Sequence, residues 1–274
     1  MTAVYKGMNR AELDAGYNNS LAVANSSELM AGFDELSAQM RHMPEARIGL
    51  RYGPAPRNLI DYFPAAKPGP VVVFIHGGYW QMRSKENFSF LAKGLLAHGL
   101  HVAMVGYTLA PDASLAHIVD EVRSSIDWLS AHAAEFGGDV KRMVVSGWSA
   151  GGHLTAMCMD APCVVGGLAI SGIYDLEPVR LSYVNDKLGL KPADVPLLSP
   201  ALLPLSPKPM VIAYGQSELP ELQAQSQAFF AARAAAGLPG QLLALPDLNH
   251  FTILPALASA DGALALAASQ LAFS

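Results

Sequence analysis

The chain has 274 residues, 51% of them hydrophobic, and a formal net charge of −5, so it can bury a large core and offers no basic face for nucleic acid. Residues 1–6 lack the charged start and apolar core of a signal peptide, and no uninterrupted apolar stretch reaches membrane-spanning length. The expectation is a cytoplasmic protein without nucleic-acid or membrane partners, of one domain spanning 1–274.

In chain order, residues 1–45 read as a polar N-terminal arm with a helix over 28–40, placed to cap an active site. The arm also leaves room for a second subunit, and a homodimer is compatible with it. Runs 47–52 and 58–63 predict the first antiparallel strands, separated by Gly53-Pro54-Ala55-Pro56. Pro70-Val71-Val72-Val73-Phe74-Ile75 is a continuous apolar run, the pattern of a central parallel strand covered on both faces. It ends in His76-Gly77-Gly78-Tyr79-Trp80, where glycines let backbone N–H groups turn outward. Ser114 opens a helix whose Leu115, Ile118, Val119, Val122, Ile126 and Leu129 recur at helical spacing and belong to the core.

Met143 to Ser146 predicts a buried strand and 154–159 a helix, with Gly147-Trp148-Ser149-Ala150-Gly151 between them. Gly-x-Ser-x-Gly alone is a weak signal. On a strand-to-helix turn it gains a mechanism: the turn holds the serine in a backbone conformation costing about 1–3 kcal/mol, and its neighbours two positions away must be small. Cys158 and Cys163 read as buried thiols. Residues 174–208 break the strand-helix alternation with Pro178, Pro192, Pro196, Pro200, Pro204 and Pro207, and predict a small lid-like insertion.

Residues 209–214 predict another strand, followed by Gly215-Gln216-Ser217-Glu218-Leu219-Pro220-Glu221; 241–245 predict the last, followed by Pro246-Asp247-Leu248-Asn249-His250-Phe251. A serine hydroxyl is a poor nucleophile unless a base takes its proton and donors hold the oxyanion that forms. Ser149 is the candidate nucleophile and His250 the candidate base, and the N–H groups of Gly78, Tyr79 and Ala150 are candidate oxyanion donors, each worth about 2.7–4 kcal/mol in the transition state. Glu218 is the candidate acid that orients the imidazole. Glu221 suits the first turn of the next helix, Asp247 suits the loop it shares with His250, and Asp175 stands as an outside candidate. His76 reads as a loop brace. No histidine shows the clustered ligand spacing of a zinc site, and no metal or soluble cofactor is expected.

In these motifs the chain resembles α/β-hydrolases of the arylformamidase (kynurenine formamidase) type, related to the hormone-sensitive-lipase-like esterases, over about residues 62–251. The most specific mark is Tyr79-Trp80, where the related esterases usually carry a third glycine. Matching stretches are Gly147 to Leu154, Tyr107-Thr108-Leu109-Ala110-Pro111, Pro220-Glu221-Leu222 with Gln225-Ser226, and His250-Phe251. The resemblance implies an α/β fold with a mostly parallel central sheet and helices on both faces, and a serine that attacks an aryl formamide such as N-formyl-kynurenine through an acyl-enzyme. One departure is Glu218, which falls where the family commonly has aspartate, its extra methylene lengthening the reach by about 1.5 Å.

Tyr79 and Trp80 beside the oxyanion donors would narrow the acyl side to formyl or acetyl, and Trp80, Tyr107 and Phe251 are expected to contact the small-molecule acyl substrate. Two other readings compete: a short-chain carboxylesterase using the same residues, and a binding protein that kept the fold without the catalysis. Activity in either catalytic reading should fall as pH drops through the ordinary imidazole range near about 6.5.

Overall fold

Eight strands form one sheet in the computed structural model, which describes residues 2–274. The strands are β1 (Arg47–Arg51), β2 (Leu59–Phe63), β3 (Gly69–Ile75), β4 (His101–Val105), β5 (Gly138–Trp148), β6 (Val164–Ile170), β7 (Met210–Gly215) and β8 (Gly240–Leu245). Their order is β1-β2-β4-β3-β5-β6-β7-β8, antiparallel at β1/β2 and β2/β4 and parallel throughout the rest. This is an α/β-hydrolase sheet.

The continuous apolar run in β3 follows from burial on both faces. Val71, Val73 and Ile75 point into one core, with Ile118, Val122, Ile126 and Leu129 of the helix Leu115–His132. Val72 and Phe74 point into the other, with Leu95, Leu264 and Leu271. The expected apolar stripe is thus core, and Ser114 caps its helix by accepting from the His117 N–H. Cys158 is buried, Cys163 is half-buried, and both are free thiols. Among the described residues no helix is long and apolar enough to cross a membrane.

From β3 the chain crosses to β4 on one side and then to β5 on the other. The strand order therefore reverses at the carboxyl ends of β3 and β5, where open α/β sheets leave a crevice. Register places Ile75 opposite Gly147, so the loop at His76 and the turn at Ser149 leave the sheet side by side.

The arm forms helices Arg10–Gly16, Asn19–Ala22 and Ser26–Arg41. The longest of them covers the predicted 28–40. It is fixed by Phe33 stacking on Phe90 at 4.7 Å and by Arg41, which pairs with the buried Asp61 beside Lys85 (Nζ to Oδ1 2.8 Å). Residues 174–208 fold into the short helices Glu177–Leu181, Asn185–Leu188 and Val195–Leu198 and a 3₁₀ turn.

Candidate active site

Ser149 sits between β5 and the helix Ala150–Met157 at φ 59°, ψ −119°, a left-handed conformation unfavourable for serine. The turn has no room for side chains. A Cβ on Gly147 would strike the Gly151 carbonyl, and one on Gly151 would strike Ile75 O. A Cβ on Gly77 would lie 2.6 Å from the Trp148 ring and 3.0 Å from Ser149 Cβ, so the loop after β3 lies directly against the serine.

That loop carries three successive left-handed residues, Gly78 (φ 109°), Tyr79 (50°) and Trp80 (58°). The Gly78 carbonyl accepts from Gln81 and Met82 and the Trp80 carbonyl from Ala110, whereas the N–H groups of Gly78, Tyr79 and Ala150 find no acceptor among the described residues. Backbone donors without acceptors, beside a strained serine, are the kind of group that can hold an oxyanion.

His250 and Glu218 come from the ends of β8 and β7. The His250 Nδ1–H donates to Glu218 Oε2 at 3.0 Å, and both side chains are buried. The other carboxylate oxygen accepts from Ser171 Oγ at 2.6 Å and from the Gly215 N–H at 2.7 Å. Trp148 ties this loop to the serine turn: its indole N–H donates to the His250 carbonyl at 2.8 Å, and its ring packs 4.8 Å from the imidazole. Ser149 Oγ makes no hydrogen bond to a described residue, and Glu218 is the acceptor for the imidazole. Such contacts commonly tighten only when substrate binds.

The other carboxylates face elsewhere. Asp175 accepts from Tyr5 Oη of the arm at 3.2 Å and from the Glu177 N–H at 2.9 Å. Glu221 lies in the first turn of the helix Pro220–Ala235, its Cγ 2.8 Å from where a Cβ on Gly16 would stand. Asp247 takes a left-handed φ of 60° in the turn after β8.

The three aromatic residues expected to contact substrate are buried, as Ser149 and His250 themselves are. Trp80 is wholly buried, edge-on to His153 at 5.0 Å. Tyr107 stacks on His76 at 4.2 Å and donates to its carbonyl at 2.8 Å. Phe251 packs on Trp148 at 5.8 Å. Burying a large ring is worth more than displaying it, and each has a partner for its face or edge within the protein. Nearness in sequence to a catalytic motif does not say which way a ring turns.

Two histidines brace the site. The His76 Nδ1–H donates to the Gly77 carbonyl at 2.7 Å, and burial pushes its pKa down to about 3. His153 donates to Leu198 O at 2.8 Å and is pushed down by burial to about 4. The folded protein excludes protons that the unfolded chain binds below about pH 6.5, so stability falls as pH falls through the window from 6.5 toward these values. Urea unfolding at pH 7 and pH 5 should show a loss of roughly 2 kcal/mol for each of these histidines between pH 6.5 and 5. His153→Gln should remove about half of that dependence.

The site is roofed. Ser149 is 2% and His250 3% exposed. Tyr79 Oη donates to the Tyr17 carbonyl of the arm at 2.5 Å and accepts from Asn19 Nδ2 at 3.2 Å, while Tyr183 Oη of the 174–208 segment donates to the same carbonyl at 3.4 Å. Gln225 joins the two covers, accepting from the N–H groups of Tyr174 and Asp175 and donating to Tyr17 Oη. Sequence reasoning passed over Ser171, Trp148 and this latch. Ser171 carried a usable signal, because it follows an apolar strand at the same sheet edge as Ser149 and Glu218.

Comparison with known proteins places this geometry. The BD-FAE family model matches residues 62–160. A crystal structure from Silicibacter sp. TM1040, provisionally called a thioesterase, superposes with a TM-score of 0.86 at 25% identity, covering 96% of this chain and 99% of that one. Esterase B of Lactobacillus rhamnosis shares the fold at a TM-score of 0.70 and 20% identity, over 93% and 97% of the two chains. Kynurenine formamidase of Danio rerio is 29% identical over 92% of this chain and 93% of its own length. The chain is an α/β-hydrolase by fold, and in sequence it is similar to the arylformamidase type. These likenesses support a hydrolase of the arylformamidase and esterase kind.

Proposed function

We propose that this hydrolase removes a small acyl group, formyl above all, from an aryl amide such as N-formyl-kynurenine through an acyl-enzyme on Ser149. In this reading Ser149 Oγ attacks the formamide carbonyl carbon as His250 Nε2 takes the hydroxyl proton, and Glu218 stabilises the resulting imidazolium through Nδ1–H. The N–H groups of Gly78, Tyr79 and Ala150 receive the oxyanion. Collapse breaks the C–N bond while the imidazolium protonates the departing amine; water, deprotonated by His250, then attacks the formyl ester and formate leaves. The observation that carries the reading is the buried His250–Glu218 pair, tied to the serine turn by the Trp148 indole N–H on the His250 carbonyl.

The preference for a small acyl group rests on crowding, with Gly77 against Ser149 and the serine almost wholly covered. Specificity constants for an aryl formamide and a matched aryl acetate test the reading. The formamide is expected to turn over with kcat/KM at least equal to that of the acetate, because the crowded acyl side beside Ser149 fits formyl better than acetyl and the imidazolium protonates the departing amine. Turnover of the ester alone would replace this reading with a carboxylesterase. Failure of Ser149 in the folded protein to react with a fluorophosphonate would replace it with a binding protein.

A further inference from the structure

The carboxylate of Glu218 is held from both sides. One oxygen faces His250, and the other accepts two hydrogen bonds, from Ser171 Oγ at 2.6 Å and the Gly215 N–H at 2.7 Å. The Gly215 donor is backbone and comes with the strand. Ser171 is different, because it is a side chain from the neighbouring strand end. It follows β6, is wholly buried, and has its own N–H bonded to Ala213 O of β7 at 2.7 Å. It also stands at φ 53°, where glycine would be at ease and serine is not. A strained residue kept at a site edge points to a task for its side chain.

We propose that Ser171 is a positioning residue: with the Gly215 N–H it clamps one carboxylate oxygen of Glu218, so that the longer acid presents its other oxygen to His250 Nδ1. The inference rests on the serine–histidine reading above. A glutamate has one more rotatable bond than an aspartate, and one donor on an oxygen leaves the group free to swing about that contact. Two donors from different strand ends fix its plane. The clamp thus gives the glutamate carboxylate a fixed plane in place of a loose one.

Ser171→Gly is the decisive variant, because it suits the left-handed backbone and removes only the hydroxyl. It is expected to lower kcat about 10- to 50-fold, as for loss of one charge-assisted hydrogen bond, with KM within about twofold and a melting temperature no lower than that of the wild type. Ser171→Ala, which keeps the strain, should lose the same activity. The downfield imidazole Nδ1 proton resonance should broaden in both. In a Glu218→Ala background, Ser171→Gly should change the rate less than twofold, because the hydroxyl then has nothing to hold. A kcat within twofold of wild type in Ser171→Gly overturns the proposal, as does a full loss repeated in the Glu218→Ala background. Failure of the underlying reading shows separately, as turnover surviving Ser149→Ala or wild-type protein that does not react with a fluorophosphonate.

Discussion

Ser149→Ala is expected to lower kcat about a million-fold for aryl formamide and aryl acetate alike, leaving only the acceleration that the backbone donors and binding supply. The variant keeps the fold. Its Cβ remains where serine's was, and the turn is shaped by Gly147, Gly151 and the bond from the Ser149 N–H to Ile170 O, none of which involves the hydroxyl. Melting temperature should therefore match the wild type within a degree or two while activity disappears. His250→Asn should cost nearly as much, and the double variant little more than either single one, because nucleophile and base act as one unit. Independent losses that multiply, or an alanine variant that keeps more than a hundredth of wild-type turnover, would remove the serine from the mechanism.

What the sequence made legible follows from where burial is two-sided. β3 and the inner half of β5 announce themselves because both of their faces are covered and nearly every residue must be apolar. The outer half of β5 does not: it opens with Gly138-Asp139-Val140-Lys141-Arg142, partly exposed, and pairs with β3 only through Gly69 and Pro70. The arm shows the same limit. Its long helix carries a periodic face, but Arg10–Gly16 buries only Leu13, and the latch beyond it uses the Tyr17 carbonyl, a backbone group that no residue type encodes. Glu218 could be separated from Glu221 because Pro220 suits a first helical position. The residue two places earlier then stays outside the helix, free to turn back over the sheet edge. Ring direction was illegible for Trp80, Tyr107 and Phe251, since an aromatic residue near a site satisfies the same pattern whether it lines the pocket or supports the loop behind it.

Glu218→Gln is expected to lower kcat about 10,000-fold with little change in KM, by forcing the wrong tautomer on His250. The geometry dictates how the amide would sit. The oxygen position next to the Gly215 N–H faces a donor that cannot turn away, and Ser171 Oγ donates to that same position, so the amide oxygen belongs there. The amide NH₂ then faces His250 Nδ1, which must become the acceptor. The imidazole proton moves to Nε2, the nitrogen that has to receive the proton of Ser149, and the base arrives already occupied. Because the clamp and the hydrogen-bond count are preserved, the fold should be as stable as before, which a thermal melt checks. Asp175→Asn and Glu221→Gln serve as controls and should keep kcat within about threefold of wild type, since the first carboxylate is engaged by Tyr5 and the Glu177 N–H and the second lies against Gly16 of the arm. If either control proves the damaging change while Glu218→Gln retains turnover, the acid lies elsewhere and the tautomer argument fails with it.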